Sequence, residues 1–265
     1  MNFTIGNYYP AASPLHRVDP RAKILGSLAL MVTLFLFSRP PAMLAYTLFL
    51  LVLVRVARIP LRLLLGTLRP VLTLALIALI ANILTGPAPW FWQWGILRFS
   101  QPGMVTGLTM ALRLCLLILT TQLLLTLTTT PILIADGLEA LFAPFARFGF
   151  PAHELAMMMS IALRFVPTLA EEADKIMKAQ SSRGADYDTG GVLARARGLI
   201  SVLVPLFVSA LKRADELATA MEARCYRGGE GRTKLRPLVF GRSDALFCLL
   251  LALAMALVLA IEHLV

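Results

Sequence analysis

Two arginines occupy the same frame in two places. Ala173-Asp174-Lys175-Ile176 is followed by Ala179 and Arg183, and Ala214-Asp215-Glu216-Leu217 by Ala220 and Arg224, so the pattern A-D-x-aliphatic-x-x-A-x-x-x-R occurs twice. A guanidinium is a planar fork of donors suited to bidentate docking on carboxylates or carbonyls, at about 1.5–3 kcal/mol per charged hydrogen bond. A duplicated basic helix end is the form a subunit would present to two similar partners. Two plainer readings stand beside it: chance likeness between two Ala/Asp/Arg-rich helices, or arginines that complement a helix C-terminal dipole at about 0.3–1 kcal/mol each.

Other chemistry is thin. His153-Glu154-Leu155-Ala156-Met157 misses H-E-x-x-H at its fifth position, and His16, His153 and His263 are too scattered to complete a zinc site, so no metal ligands are expected. Gly228-Gly229-Glu230-Gly231 has no following G-K-[ST] and no preceding strand, which makes it a flexible turn rather than a phosphate loop. There is no G-x-S-x-G elbow and no acid pair inside an apolar run. No catalytic residue is expected; if the chain moves something, the energy comes from elsewhere. Cys115, Cys225 and Cys248 are scattered, two of them within apolar runs, which speaks for small hydrophobes in a reducing setting rather than disulfides. Cys225, beside the second arginine, reads as a small packing residue before it reads as a redox handle.

The arginines need long helices behind them. From His153 the apolar positions Leu155, Met158, Met159, Ala162, Val166, Leu169, Ala173 and Ile176 recur at three or four residues, predicting a helix to about Arg183 that stops at Gly184. After a polar turn at Asp186 to Gly191, a second helix places Leu199, Leu203, Leu206, Ala210, Leu217 and Met221 inward and ends near Arg224. Each helix would be about 45–50 Å long at 1.5 Å per residue. Pro167 and Pro205 lie in their interiors and predict a kink in each. Asp136 to Phe148 reads as a short helix closed by Gly149 and Pro151.

The rest of the chain is a different material. Of 265 residues 58% are hydrophobic and only 15% charged, with a net charge of +10 and a mean hydropathy of +0.77. Soluble domains average about 45–50% apolar and about 25% charged, so part of this chain has lipid for solvent. A nucleic-acid binder would leave the apolar stretches unexplained, and no nucleic-acid partner is expected. From Pro20 through Ala135 there is no Asp or Glu, whereas nearly all acids fall between Asp136 and Asp244.

Apolar stretches at Ile24 to Phe37, Ala42 to Val54, Val71 to Leu84, Met104 to Leu127 and Ala245 to Ile261 predict about five spans, the first three needing flanking residues, tilt or protein shielding to cross. Arg39-Pro40-Pro41, Arg58-Ile59-Pro60 and a loop from Thr85 to Gly103 separate them. Trp90, Trp92 and Trp94 in that loop mark headgroup level, a ligand-stacking aromatic box being the rival reading. A cytoplasmic N-terminus puts Arg17, Arg21, Lys23, Arg55, Arg58, Arg62 and Arg69 inside and leaves Arg39 and Arg98 outside, as the positive-inside bias prefers. Arg113 falls within the fourth span, where the favoured reading is snorkelling or a partner inside the bundle and the alternative a functional charge. Met1 to Ser13 is polar, and no removable signal peptide is expected. The reading is an all-α integral membrane protein: a membrane domain over 1–130, a cytoplasmic coupling domain over 131–242, and a C-terminal transmembrane helix over 243–265.

Four segments resemble the transmembrane T component of energy-coupling factor transporters, the vitamin and metal importers of prokaryotes. They are Ser13-Pro14-Leu15-His16-Arg17-Val18-Asp19-Pro20-Arg21-Ala22-Lys23, Arg164-Phe165-Val166-Pro167, Ala179-Gln180-Ser181-Ser182-Arg183-Gly184-Ala185-Asp186, and Ala220-Met221-Glu222-Ala223-Arg224-Cys225-Tyr226-Arg227-Gly228-Gly229-Glu230-Gly231-Arg232. On the residues alone, the first also reads as a helix start, with Asp19 as N-cap and Pro20 at the first helical position. The resemblance implies a plasma-membrane subunit that couples two ABC-type ATPases to an S component, the small membrane protein that captures the vitamin or micronutrient. It implies that two X-Arg-X motifs, Ser182-Arg183-Gly184 and Ala223-Arg224-Cys225, dock into the ATPases, which bind ATP and Mg, while this chain holds no cofactor. Ser182 stands where the family usually has Ala and Cys225 where Gly or Ser is common. The ending from Cys225 to Arg232 is more like T components shared among several S components. Two alternatives differ by checkable features: a conventional ABC permease would carry an E-A-A-x-x-x-G loop, absent here, and a lipid or prenyl-phosphate enzyme would want more acids beside a span than Asp186-x-Asp188.

Overall fold

The computed structural model describes residues 9–11, 13–37, 39–94, 97–184, 191–228 and 238–264. The expected turn over 186–190, with Asp186-x-Asp188, and the glycine-rich stretch from Gly229 lie outside the described residues. The chain divides into two compact units, Gly6–Leu138 with Leu238–Val265, and Glu139–Pro237.

The first unit is a bundle of apolar helices. A short α1 (Pro14–Arg17) precedes α2 (Pro20–Leu36), α3 (Pro40–Ala57) and α4 (Leu61–Thr85); strands β1 (Trp90–Trp94) and β2 (Leu97–Ser100) lead into α5 (Gln101–Thr121), and α6 (Pro131–Phe142) and α9 (Arg242–Leu264) follow. Four helical segments among the described residues, Pro40–Ala57, Leu61–Thr85, Gln101–Thr126 and Arg242–His263, are long and apolar enough to cross a membrane. At 17 residues, α2 is about 25 Å long against a hydrocarbon core of about 30 Å. Flanking residues are borrowed most heavily in α4, which takes in Arg62, Arg69 and an interior Pro70. The tryptophan segment differs from the expected loop: β1 and β2 pair antiparallel, Gln93 opposite Arg98 and Trp94 opposite Leu97. Aromatic residues favour pleated backbone, and W-F-W-Q-W is four-fifths aromatic.

Helix starts follow local chemistry. Ser13 caps α1, its Oγ accepting from the His16 N–H at 3.4 Å, and Asp19 caps α2, accepting from the Arg21 N–H at 2.8 Å with Pro20 next in line. The same Asp19 donates its own N–H to Asp244 Oδ1 at 2.8 Å, while Asp244 Oδ2 accepts from the Gly241 N–H at 2.7 Å, so the start of α2 is tied to the start of α9. Lys23 is buried on the first turn of α2 and donates to the Thr128 carbonyl at 3.0 Å, Thr129 Oγ1 at 3.3 Å and the His16 carbonyl at 3.4 Å. Burial pulls its ammonium down to about 8, against the opposing pull of Asp244 and Asp19.

Tyr46, Phe37, Leu30, Leu34, Met43, Leu116, Leu123 and Leu124 form the centre of this unit. The Tyr46 hydroxyl is satisfied there by Thr120 Oγ1 at 2.9 Å. Arg113 has its partner inside the bundle, as favoured: its Nη2 donates to the Phe37 carbonyl at 2.7 Å. α4 and α5 approach closely at Gly103 and Gly107, a G-x-x-x-G pair that lets backbones meet; a Cβ on Gly103 would lie 2.2 Å from the Asn82 carbonyl oxygen. α5 ends in a π-helical turn, Gln122–Thr126, closed by the Leu127 N–H on the Gln122 carbonyl at 2.9 Å. Outward positions such as Leu72, Leu76, Leu108, Leu250 and Leu253 are exposed, a surface suited to lipid.

In the second unit a 3-10 helix, Ala143–Phe148, ends at Gly149 with φ +82°, and two long helices follow, α7 (Ala152–Ser181) and α8 (Val192–Ala223). Pro167 and Pro205 lie inside them. His153 is paired, its Nδ1 at 3.0 Å from Glu139 Oε1. The expected inward faces need correction. Leu155, Met158, Met159 and Val166 on α7, and Leu199 and Leu203 on α8, are exposed. The contact is made by the expected Leu169, Ala210, Leu217 and Met221 together with Ile161 and Phe165 on α7 and Ala214 on α8, which line a shared cavity of about 230 Å³. Each apolar stripe is wider than the strip one crossing helix can cover, so the remainder stays open.

Candidate functional site

The two arginines of the repeat sit at matching places on α7 and α8. At the end of α7 the Ser182 N–H returns to the Lys178 carbonyl at 3.1 Å and the Arg183 N–H to Gln180 at 3.0 Å; Gly184 then turns left-handed at φ +84°, its N–H on the Ser181 carbonyl at 3.0 Å. At the end of α8 the Arg224 N–H returns to Met221 at 3.1 Å and Cys225 turns left-handed at φ +59°, its N–H on Glu222 at 2.9 Å. The Tyr226 N–H closes the turn on Met221 at 3.0 Å. That second end has the two bonds of a Schellman motif with cysteine at the position glycine usually takes. In both cases the arginine is the last residue before the left-handed one.

This geometry explains the third residue of each motif. Gly184 was legible as a helix stop. Cys225 is not the packing residue its small size suggests: it is exposed and adopts the conformation that ends α8. The signal lay in the repeat itself, which aligns Cys225 with Gly184. Ser182, Arg183, Gly184, Ala223, Arg224 and Cys225 are all exposed, so each helix presents its motif to solvent on a fixed turn.

Behind these ends α7 and α8 are joined by polar contacts absent from the sequence reading. Arg213 Nη2 donates to Glu172 Oε2 at 2.6 Å, and Ser209 Oγ donates to Glu172 Oε1. Both oxygens of one carboxylate on α7 are thus held by α8. Among the described residues no group of three or more His, Cys, Asp and Glu side chains is placed to hold a metal ion.

Comparison with known proteins adds the following. Residues 11–235 match the family model described as CbiQ, cobalt transport protein. The chain is 49% identical over 245 residues, 92% of its length and 91% of the relative's, to a protein of Acidaminococcus fermentans named energy-coupling factor transporter transmembrane protein EcfT. Proteins of the same name from Ruminiclostridium cellulolyticum and Bacillus subtilis are 48% and 46% identical, over 99% and 94% of this chain and 98% and 95% of their own.

Proposed function

Because the chain belongs to the CbiQ family and groups with the transmembrane proteins of energy-coupling factor transporters, we propose that it is the non-catalytic coupling subunit of such an importer, passing the work of two ATPase subunits to a substrate-capturing S component. The observation that carries this reading is the pair of equivalent helix ends, each offering an exposed arginine ahead of a left-handed turn. Two like ends suit two like partners. A guanidinium held on a closed turn has less freedom to lose on docking than one on a frayed terminus. The helix C-terminus leaves negative partial charge beside each arginine, which helps hold the fork where it is displayed.

ATP and Mg would be held by the partners. Closure of the ATPase pair on ATP would change the separation of the two docked ends, and the long helices would pass that displacement to the membrane helices that hold the S component. The exposed apolar positions of the second unit, Leu199, Leu203, Phe207, Phe145 and Phe148 among them, offer a surface for an apolar partner. The positive-inside bias supports a cytoplasmic N-terminus and a cytoplasmic 131–242 segment in a prokaryotic cell. Selectivity for a vitamin or micronutrient would belong to the S component.

The test is co-purification of the tagged chain with its ATPases from detergent-solubilised membranes. Arg183→Glu with Arg224→Glu should abolish ATPase recovery while the chain still inserts in the membrane. Undiminished recovery of the ATPases with the double variant would overturn the docking reading.

A further inference from the structure

Glu172 and Arg213, which bind each other, are the same position of the internal repeat. A shift of 41 residues that lays Ala173, Asp174, Ile176, Ala179 and Arg183 on Ala214, Asp215, Leu217, Ala220 and Arg224 also lays Glu172 on Arg213 and Thr168 on Ser209. When two equivalent halves pack together, a residue that touches its own counterpart marks the axis relating them. Arg213 and Glu172 meet at 2.6 Å, so α7 and α8 touch at the same position of the repeat.

Charge supports this placement. Identical halves would bring like charges together at a self-contact, which is repulsive. Over positions 168–183 laid on 209–224, five aligned positions are charged in both copies. Glu171 and Lys212, Glu172 and Arg213, and Lys175 and Glu216 have opposite signs, whereas Asp174 and Asp215 agree, as do Arg183 and Arg224. The sign is inverted at the contact and at Glu171/Lys212 and Lys175/Glu216 near it, and kept at Asp174/Asp215 and at the docking ends.

We propose that the Glu172–Arg213 pair is the pivot on which α7 and α8 turn, a positioning pair that holds Arg183 and Arg224 at equal reach from a common fulcrum. The proposal rests on reading those two arginines as docking ends. Each lies 11 residues beyond its member of the pair, about 16 Å along a helix at 1.5 Å per residue. Ser209 holds the second carboxylate oxygen, so Glu172 is anchored against sliding. Ala210 and Ala214 beside it are small and line the cavity between the helices, which leaves room for the crossing angle to change. Pro167 and Pro205 precede the pair on their helices, so the bend each allows falls on the far side of the fulcrum from the docking ends.

The experiment measures the distance between spin labels on Cys225 and on a cysteine at position 182 (Ser182→Cys), in the full chain with Cys115→Ser and Cys248→Ser, in lipid nanodiscs without partners. The parent should give one narrow distribution. Glu172→Ala and Arg213→Ala should each broaden it at least twofold, and the exchange Glu172→Arg with Arg213→Glu should restore it. Glu172→Gln, which keeps the shape and the acceptor for Ser209, supplies a milder variant should an alanine variant fail to fold, and it too should broaden the distribution. In the assembled transporter with unlabelled chains, the alanine variants should retain their ATPases yet lose about fivefold or more of the substrate taken up per ATP hydrolysed, with recovery in the exchange. An unchanged distribution in the single variants, or an exchange that behaves like them, overturns the pivot. The distance needs no partner, so failure to recover ATPases with the parent chain would refute the docking reading alone.

Discussion

Gly184→Ala isolates the backbone contribution to docking. A Cβ at this position meets nothing within 4 Å, so no contact is gained or lost and the cost lies in the left-handed φ of +84°. That conformation costs a residue with a Cβ about 1–2 kcal/mol. The free chain can escape the strain by opening the last turn, giving up the bond from the Gly184 N–H to the Ser181 carbonyl at 3.0 Å. Docking must then restore the turn, and affinity for the ATPase that receives Arg183 should fall by the same amount, about five- to thirtyfold. Cys225→Gly is the converse: at φ +59° the cysteine already bears this strain. Its removal should tighten the second end by about 1 kcal/mol or less, since glycine also loosens the unfolded chain. Titration of the purified ATPases against each variant in nanodiscs, with amide exchange over 182–184 as a local readout, measures both effects. Gly66→Ala, which also meets open space but lies inside α4 away from the motif, serves as control. Binding by Gly184→Ala within twofold of the parent, with Arg183→Glu still abolishing it, would refute the claim that the left-handed turn presents the arginine.

Two more predictions concern the membrane unit. Lys23 has its ordinary value of 10.5 pulled down to about 8, so between those values the unfolded chain holds more protons than the folded one and stability should rise with pH across that interval. Lys23→Met should flatten the rise in thermal unfolding measured from pH 7 to 10.5; an undiminished slope would assign it to another group. Gly103→Ala would set a Cβ 2.2 Å from the Asn82 carbonyl oxygen, a backbone atom that cannot swing away. It should separate α4 from α5 and lower Tm by several degrees in detergent, roughly the effect of an overpacking penalty of about 1–3 kcal/mol, and an unchanged Tm would show that the two helices are not in close contact.

Much of the architecture was legible because it follows from local rules. Asp19-Pro20 is a local helix start, Gly184 a local stop, and long apolar runs are better solvated by lipid than by water. The helix ends near Arg183 and Arg224 were readable from the 3.6-residue period and the repeat. The paired tryptophan strands were missed because a short aromatic segment between helices carries little periodic signal. The G-x-x-x-G approach at Gly103 went unread inside an apolar run, where small residues look like the rest of the span until a neighbour's backbone is known to lie against them. The exposed faces of α7 and α8 were assigned inward because periodicity identifies an apolar stripe without saying what covers it.

The sequence by itself determined that this chain lives partly in lipid, that it carries two equivalent basic helix ends, and which family it resembles, since composition, periodicity and motif spacing are properties of order along the chain. Only the tertiary structure decided that Cys225 does the work of a glycine, that Lys23 is buried among carbonyl, hydroxyl and carboxylate groups, and that Glu172 on α7 meets its own counterpart Arg213 on α8. Each of these depends on which distant residue occupies the neighbouring space, and on the desolvation and backbone strain that follow. Spacing along one chain records neither.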